Sequence, residues 1–244
     1  MKNKFVIIIP ARFESSRLPG KPLVDLCGKS MIQRVWEQCC FALPKELVYV
    51  ATDSLKISEH CQALGIQTVM TPSSCLTGTD RVYEAAKIIE ADIYINVQGD
   101  EPLINPNDIK KIIATSNCNP KNIVNAMCPI TCEEDFYSST VPKVVVRPDG
   151  RLLYMSRAGI PTDKKQKFIS AKKQVCIYAF PKASLENFAN VQSKTPLEEV
   201  EDIEILRFLE LGYEINMIEV SSSSVAIDIP ADIARVVAIL NEKS

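Results

Sequence analysis

The sequence has no apolar run of the length that a membrane helix or a secretory signal needs. A membrane helix takes about 20 apolar residues, and the apolar part of a signal peptide takes about 7–15. The run at the amino terminus, FVIII, is ended by Pro10. We therefore expect a cytoplasmic protein that has no membrane partner.

The sequence also lacks an excess of positive charge. It has 28 lysine and arginine residues against 30 aspartate and glutamate residues, which gives a formal net charge of −2. A protein whose main partner is a nucleic-acid backbone needs a net basic surface. We therefore expect no nucleic-acid partner, and any cationic binding site has to be local.

Histidine and paired-cysteine motifs are scarce. The nine cysteines are scattered, no C-x-x-C occurs, and Cys128 and Cys132 have no second cysteine or histidine pair nearby. This distribution favours reduced thiols over disulfides or a zinc site. The single histidine, His60, falls in a predicted helix with no nucleophile beside it, so we interpret it as a helix-surface residue. The Walker motif G-x-x-x-x-G-K-[ST] is absent as well.

Short apolar runs rich in β-formers alternate with helical patterns over the first 120 residues. We predict strands at residues 4–10, 46–52, 67–70 and 93–97. We predict helices at residues 31–41, 55–64, 80–89 and 106–115. Strands separated by helices of this length indicate βαβ units, and hence a mainly parallel sheet with helices on both faces.

The pattern changes after about residue 120, where strands follow one another. We predict strands at residues 124–129, 141–147, 152–156 and 174–180, with Pro-Asp-Gly at 148–150 as a hairpin turn. Residues 162–173 are basic and polar and are predicted to form an exposed loop. Further helices are predicted at residues 182–190, 200–211 and 230–241. No repeat or linker divides the sequence, so we predict one mixed α/β domain, residues 1–244, with an antiparallel insertion.

The segment IPARFESSRLPGKPL concentrates cations directly after a buried strand. Arg12, Arg17 and Lys21 lie within ten residues, next to two serines and Gly20. Open α/β sheets bind ligands at the carboxyl ends of their strands. Guanidinium groups bind phosphate through two hydrogen bonds, and lysine adds a compact charge. The segment therefore indicates a site for a polyanion such as a triphosphate, rather than a solvated loop, and the chain is interpreted as a nucleotide-using transferase.

The segment VQGDEP places two carboxylates after the predicted strand at 93–97. A carboxylate at the carboxyl end of a parallel strand is well placed to hold a hard divalent cation that bridges phosphate oxygens. Asp100 is the first metal candidate. Glu101 is either a second ligand or a residue that favours the start of the next helix.

Two further features stay open on these patterns alone. Asp228, in AIDIPAD, follows a predicted short strand and precedes a proline-initiated helix, so it is either a ligand or a helix cap. Arg81, in TGTDR, either reaches a base or a phosphate, or simply belongs to a helix that Thr79 caps.

Seven segments carry a resemblance to a known family. They are IPARFESSRLPGKPL, ATD at 51–53, TGTDRV at 77–82, NVQGDEP at 96–102, PKVV at 142–145, LYMSRAGIP at 153–161 and IDIPAD at 227–232, in this order. Together they resemble the 3-deoxy-manno-octulosonate (KDO) cytidylyltransferases, the CMP-KDO synthetases of bacterial lipopolysaccharide synthesis. The resemblance covers nearly the whole chain.

The resemblance implies a glycosyltransferase-A-like nucleotidyltransferase fold, with residues 1–120 and 220–244 as the nucleotide-binding core and about 121–219 as the sugar-binding and dimerisation part. It implies CTP as donor, a sugar acid as acceptor, Mg²⁺ as cofactor, and a homodimer built through the antiparallel insertion. The implied catalytic residues are Arg17, Lys21 and Asp100, and the implied metal ligands are Asp100 and Asp228. The implied nucleotide contacts are Pro10, Ala11, Arg12, Arg17, Lys21, Thr77, Gly78, Arg81, Gln98 and Asp100. The implied sugar contacts are Arg157, Gln174, Tyr178 and Glu204.

The implied reaction is an in-line attack of the sugar's anomeric hydroxyl on the α-phosphorus of CTP, with release of pyrophosphate. Two positions depart from the family pattern: this chain has Gln174 and Ile205 where the family has a sugar-contacting histidine and glutamine. A site that hydrogen-bonds a hydroxyl strongly rejects analogues without it. The acceptor is therefore KDO, an amino-substituted octulosonate, or another ulosonic acid such as a nonulosonate. A non-catalytic CTP-binding protein is the remaining alternative, and a paired-carboxylate metal site argues against it.

Overall fold

The computed structural model describes residues 3–14, 18–221, 225–227 and 229–242, and it is a mixed α/β fold. Its strands are β1 (Asn3–Ala11), β2 (Val48–Thr52), β3 (Gln67–Met70), β4 (Ala91–Val97), β5 (Ile123–Pro129), β6 (Lys143–Val146), β7 (Leu152–Ser156), β8 (Lys172–Pro181) and β9 (Ile215–Glu219). Its helices are α1 (Met31–Cys40), α2 (Leu55–Ala63), α3 (Gly78–Ala86), α4 (Pro106–Cys118), α5 (Glu133–Tyr137), α6 (Lys182–Ala189), α7 (Pro196–Glu201), α8 (Ile205–Glu210) and α9 (Pro230–Glu242).

The strands of the described residues form one sheet, in the order β3-β2-β1-β4-β8-β5-β9. The four strands from β3 to β4 are parallel, as are β5 and β9. Strand β8 runs antiparallel between β4 and β5. Strands β6 and β7 form an antiparallel hairpin that joins the sheet through β8. The predicted mainly parallel sheet is confirmed, while the use of the hairpin for dimerisation stays a prediction.

The apolar run of β1 feeds two hydrophobic cores. Val6 and Ile8 are buried in one core, and Ile7 and Ile9 are buried in the other. Successive side chains of a strand point to opposite faces of the sheet. A parallel strand covered by helices on both faces therefore has to be apolar at every position, which explains the unbroken run.

Local signals in the sequence set where several helices begin. Ser30 caps α1 by accepting a hydrogen bond from the N–H of Gln33. At α3, Thr77 and Asp80 form a reciprocal capping box, in which each side chain binds the other residue's backbone N–H. The expectation that Thr79 caps this helix was wrong, because Thr77 has the extended backbone of a cap residue and Thr79 lies inside the first turn.

The prediction of a single helix over residues 200–211 was wrong. Two short helices, α7 and α8, occupy this region, and Asp202 between them has a left-handed backbone with φ 51°. Helix α7 begins earlier than predicted, at Pro196 after a capping box formed by Thr195 and Glu198. Proline at the first helical position after a threonine is a start signal that outweighs the apolar periodicity.

Three other differences concern the second half. Strand β9 and helix α5 were not predicted. The prediction of a short strand directly before Asp228 was wrong, because residues 225–227 are not in a strand. The basic loop ends at residue 171, since β8 begins at Lys172. Among the described residues, no helix combines the length and apolarity that crossing a membrane requires.

Candidate active site

A cavity of about 660 Å³ opens at the carboxyl ends of β1 and β4 and extends to β8 and the start of α8. All the predicted site residues that lie in the described part of the chain line it. They are Pro10, Ala11, Arg12, Lys21, Thr77, Gly78, Arg81, Gln98, Asp100, Arg157, Gln174, Tyr178 and Glu204. The other two, Arg17 and Asp228, lie outside the described residues. The fold thus brings the predicted donor and acceptor residues into one space.

Lys21 and Asp100 form an ion pair in this cavity. The Nζ of Lys21 donates to Oδ2 of Asp100 at 2.8 Å, and the two side chains are 13% and 31% exposed. The loop that carries Lys21 is closed by a hydrogen bond from the N–H of Gly20 to the carbonyl of Phe13 at 3.0 Å. Gly20 has φ 68°, a backbone that glycine adopts without strain. A cation and a carboxylate therefore meet where the sheet presents its ligand-binding edge.

The backbone around Asp100 is tightly packed. A β-carbon on Gly99 would lie 2.9 Å from the carbonyl oxygen of Pro10, so the ends of β1 and β4 approach each other here as only glycine allows. The N–H of Ile227 donates to the carbonyl of Asp100 at 2.9 Å. The segment that precedes Asp228 in sequence is therefore attached to Asp100. Within the part of the chain that the structure describes, no three His, Cys, Asp or Glu side chains cluster as a metal site.

Gln98 lies against the first turn of α3. A β-carbon on Gly78 would be 2.8 Å from Nε2 and 3.2 Å from Oε1 of Gln98. Any side chain at position 78 would displace this carboxamide. The predicted nucleotide contacts Gly78 and Gln98 thus form one packed unit.

Arg81 is 3% exposed and is held from two sides. Its Nη1 donates to Oγ1 of Thr71 at 2.6 Å, and its Nη2 donates to Oδ2 of Asp53 at 2.8 Å. These bonds fix the guanidinium at the cavity wall. They also explain the ATD segment, whose aspartate is the ion-pair partner of Arg81.

The part of the cavity that holds the predicted sugar contacts Gln174 and Tyr178, which we call the acceptor end, is built on β8 and β5. The Nε2 of Gln174 donates to Oδ1 of Asn125 at 3.0 Å and to the hydroxyl of Tyr178 at 3.2 Å. The amide of Asn125 donates in turn to the carbonyls of Val175 and Ile177 at 3.1 and 2.9 Å. Gln174 is therefore a fixed, neutral hydrogen-bonding group.

Ile205 does not reach this cavity. It is 1% exposed and packs in the larger apolar core with residues of α6 and α8. Position 205, where the resemblance implies a sugar-contacting glutamine, is thus a core position in this chain and not part of the cavity wall.

The guanidinium of Arg157 donates hydrogen bonds to three backbone carbonyls. It donates to Ser139 at 2.9 Å, to Glu201 at 2.6 Å and to Asp202 at 2.9 Å. The carboxylate of Glu201 accepts hydrogen bonds from the N–H of Arg157 and from Oγ of Ser156, at 2.8 and 2.6 Å. Arg157 thus joins two loops around the acceptor end.

Glu204 binds the backbone of α3. Its Oε1 accepts the N–H of Gly78 at 3.0 Å, and its Oε2 accepts the N–H and the hydroxyl of Thr79 at 2.8 and 2.5 Å. Burial raises the pKa of this carboxyl, while the bonds from Thr79 and Gly78 lower it in part.

Several residues of the cavity were not predicted, among them Cys176 and Asp135, and Asp135 forms an ion pair of 2.7 Å with Lys173. Cys176 lies two residues from Gln174 on β8, and side chains two residues apart on a strand point to the same face of the sheet. This alternation could have placed Cys176 beside Gln174 in the cavity. Burial raises the pKa values of the Cys176 thiol and the Tyr178 phenol well above their usual range. Both groups are protonated at neutral pH and do not supply an ionised nucleophile.

Two further residues from the sequence analysis make hydrogen bonds, and Glu101 also lines the cavity, so its role as a second metal ligand stays a prediction. Glu101 is 4% exposed and its Oε1 accepts the N–H of Cys176 at 3.1 Å, which ties the end of β4 to β8. Nε2 of His60 is hydrogen-bonded to Oγ of Ser30 at 2.8 Å, and His60 does not line the cavity.

Comparison with known proteins identifies the family of this chain. The family model for cytidylyltransferases matches residues 6–216. The chain is 39% identical to the 3-deoxy-manno-octulosonate cytidylyltransferase of Escherichia coli, over 99% of this chain and 98% of the relative. It is 35% identical to the mitochondrial 3-deoxy-manno-octulosonate cytidylyltransferase of Arabidopsis thaliana, over 100% and 85% of the two chains.

Solved structures show the same fold. A CMP:2-keto-3-deoxy-manno-octonic acid synthetase complexed with CTP superposes with a TM-score of 0.90 at 36% identity, covering 99% of this chain and all of the other. HddC from Yersinia pseudotuberculosis, complexed with GMP-PN, shares the fold with a TM-score of 0.70 at 15% identity, over 98% and 100% of the chains. The predicted nucleotidyltransferase fold is confirmed, and the chain belongs to the family of 3-deoxy-manno-octulosonate cytidylyltransferases.

Proposed function

We propose that this protein transfers CMP from CTP to the anomeric hydroxyl of a 3-deoxy-2-ulosonic sugar acid, KDO or a close variant, and releases pyrophosphate. The observation that carries the proposal is the Lys21–Asp100 ion pair in the cavity shared by the predicted donor and acceptor residues. The names of the full-length relatives give the reaction and the sugar. In this function the product serves lipopolysaccharide or another surface polysaccharide, and the enzyme works as a cytoplasmic homodimer.

The donor end suits a triphosphate. Arg12 is exposed at the end of β1, and it has no hydrogen bond or ion pair to the described residues. Lys21 comes later on the same loop and also lines the cavity, and Arg17 lies between these two residues in the sequence, outside the described part. Cations held at fixed positions neutralise the charge that develops on the departing pyrophosphate without reorganisation during the reaction. We assign Arg12, Arg17 and Lys21 to the phosphates, and Gly78, Arg81 and Gln98 to the rest of the nucleotide.

The reaction needs no covalent enzyme intermediate. A bond forms between the sugar's anomeric oxygen and the α-phosphorus. The bond from that phosphorus to the bridging oxygen breaks, its electron pair leaves with pyrophosphate, and the hydroxyl proton passes to water or to the departing pyrophosphate. The thiol and phenol groups of the cavity are protonated, so direct transfer is the simpler route. The contribution of the protein is to hold two anionic substrates in line in one cavity.

A magnesium ion fits the oxygen chemistry of this site. The carboxylate of Asp100 opens on the cavity, and the segment before Asp228 is bonded to the Asp100 backbone. We assign Asp100 and Asp228 as its ligands, and a bound divalent cation supplies charge neutralisation at phosphate oxygens.

The acceptor end offers neutral hydrogen-bonding groups that suit the hydroxyl groups of a sugar acid. Gln174 and Tyr178 offer an amide and a hydroxyl, while Ile205 is in the core. Of the two departures only Gln174 lines the cavity, so KDO is the first candidate for the acceptor. An amino-substituted octulosonate is the second candidate, and a nonulosonate is the third.

Pyrophosphate release tests the proposal. The purified protein is incubated with CTP and magnesium and with each of KDO, an amino-substituted KDO and a nonulosonate, and product masses are measured. We expect release with at least one octulosonate and the mass of its CMP ester. Pyrophosphate release with the nonulosonate alone would show that the acceptor is a nonulosonate and not an octulosonate. CTP binding without release with any acceptor would favour a non-catalytic CTP-binding protein.

A further inference from the structure

The first turn of α3 is held by helix α8, which follows more than 120 residues later. The carboxylate of Glu204 takes the N–H of Gly78, and both the N–H and the hydroxyl of Thr79. One helical turn further on, Nη1 of Arg207 donates to Oδ1 of Asp80 at 3.2 Å. We call Glu204 and Arg207 together the α8 clamp.

The clamp satisfies groups that a helix leaves unpaired. The first N–H groups of a helix have no partner within it, and a carboxylate there also interacts favourably with the helix dipole. Both oxygens of Glu204 are engaged in this way. Charge-assisted hydrogen bonds are the strong ones, so the turn is tied firmly to α8.

The clamp is itself anchored in the core. Arg207 is 0% exposed, and its Nε and Nη2 donate to the two oxygens of Glu198 at 2.6 and 2.7 Å. Its guanidinium carbon lies 3.7 Å from the ring centroid of Phe188. Helix α8 is therefore a rigid support for the start of α3.

The supported turn forms the nucleotide side of the cavity. Thr77, Gly78 and Arg81 line it, and Gly78 is packed against the carboxamide of Gln98. The carboxamide of Gln98 lies so near this turn that a β-carbon on residue 78 would be 2.8 Å from its Nε2, so the turn forms part of the wall against which Gln98 rests. The position of α8 thus sets the position of two predicted nucleotide contacts.

We propose that Glu204 is a positioning residue for the nucleotide: it holds the first turn of α3 in the place that CTP requires, in addition to any contact with the acceptor. This inference rests on the proposed function. It differs from an acceptor-only role, because it makes CTP binding depend on Glu204 when no sugar is present.

Thr79 gives the sharpest test, since it receives the clamp without lining the cavity. It is 1% exposed, and its hydroxyl donates to Glu204. Thr79→Val keeps the shape and removes the hydroxyl, whereas Thr79→Ser keeps the hydroxyl. Any effect of Thr79→Val on CTP affinity therefore acts through the clamp and not through a lost ligand contact.

The experiment measures CTP affinity by calorimetry in the absence of acceptor. We expect affinity to fall about tenfold in Glu204→Gln, which keeps one acceptor oxygen, and at least threefold in Thr79→Val. Thr79→Ser should bind CTP as the wild type does. Glu201→Gln is the matched control, because Glu201 binds Ser156 and Arg157 on the acceptor side, and its CTP affinity should stay within twofold.

Thermal unfolding of each variant shows whether it is folded at the temperature of the titration. If Glu204→Gln does not fold, Thr79→Val carries the test. Wild-type affinity in both Glu204→Gln and Thr79→Val, with only the KM of the acceptor raised, would overturn the positioning role. A wild-type protein that does not bind CTP would overturn the proposed function, and the positioning role with it.

Discussion

Lys21 and Asp100 are 79 positions apart in the sequence, and their side chains form an ion pair of 2.8 Å at the carboxyl edge of the sheet. Both side chains are partly buried, so removing one partner leaves a charge that water does not fully compensate. Each side chain therefore stabilises the charged form of the other inside the cavity. In the proposed function, Lys21 serves a phosphate group of CTP and Asp100 serves the magnesium ion.

Replacing either partner should slow turnover sharply. We expect Asp100→Asn and Lys21→Met each to lower kcat by about a hundredfold or more, the size typical for loss of one preorganised electrostatic group. The measurement is pyrophosphate release at saturating CTP, acceptor and magnesium. Lys29→Met is the control, since Lys29 pairs with Glu37 at 2.8 Å away from the cavity. Unchanged turnover in Asp100→Asn would remove Asp100 from the metal assignment.

The packing of Gly78 on Gln98 predicts a loss of nucleotide affinity without a loss of stability. Alanine favours a helix over glycine by up to about 1 kcal/mol, so Gly78→Ala should fold at least as stably as the wild type. Its β-carbon would be 2.8 Å from Nε2 of Gln98 and would push the carboxamide aside. We expect KM for CTP to rise about tenfold, which corresponds to about one hydrogen bond.

Gly65→Ala is the matched control for that variant. Gly65 has φ +70° and no other atom lies within 4 Å of its would-be β-carbon. Alanine there should lower the free energy of unfolding by about 1 kcal/mol because of the left-handed backbone, with KM unchanged. If KM for CTP stayed unchanged in Gly78→Ala, as it should in Gly65→Ala, Gln98 would have no part in nucleotide binding.

Sequence patterns gave the first half of the fold because local and global preferences agree there. The run VIII requires a strand buried on both faces, and its carboxyl end locates the ligand site. The break at Asp202 could not be predicted in this way, since its left-handed backbone is supported by distant partners. Its carbonyl accepts from Arg157 at 2.9 Å and its carboxylate from Lys194 at 2.6 Å.

In the site, too, local patterns predict the position of some residues, and distant contacts decide the position of others. Lys21 and Asp100 follow strands, and their meeting follows from a parallel sheet. By contrast, the orientation of Ile205 into the core depends on where α8 begins, which is set by the break at Asp202. Motif matching aligns positions along a chain, and it carries no information about which face of a short helix a substituted residue presents.

Gln174 predicts a change in acceptor preference. Its amide bridges Asn125 and Tyr178, and an imidazole would alter this donor pattern at the acceptor end. We expect Gln174→His to change the ratio of kcat/KM values for KDO and an amino-substituted KDO by about tenfold or more, with KM for CTP unchanged. Gln67→His, on the exposed edge strand β3, serves as the control. An unchanged ratio would show that Gln174 does not contact the acceptor.

Replacing Asn96, which lies on β4 in the centre of the sheet, should stabilise the protein. It is 0% exposed, and neither atom of its amide has a hydrogen-bond partner in the part of the chain that the structure describes. Because an unpaired buried polar group costs about 1–3 kcal/mol, Asn96→Leu should raise the free energy of unfolding by about that amount. Urea unfolding followed by circular dichroism measures it.

Asn125, on the neighbouring part of the same sheet, is the contrast that makes this test decisive. Its amide is fully engaged by the carbonyls of Val175 and Ile177 and by Gln174. Asn125→Leu should therefore lower the free energy of unfolding by about 1–3 kcal/mol, because it leaves those groups buried and unpaired. Opposite signs for the two asparagines would establish that partners, and not burial alone, decide the cost of an amide in this sheet. A loss of stability in Asn96→Leu would instead mean that an internal water binds Asn96 beneath the cavity.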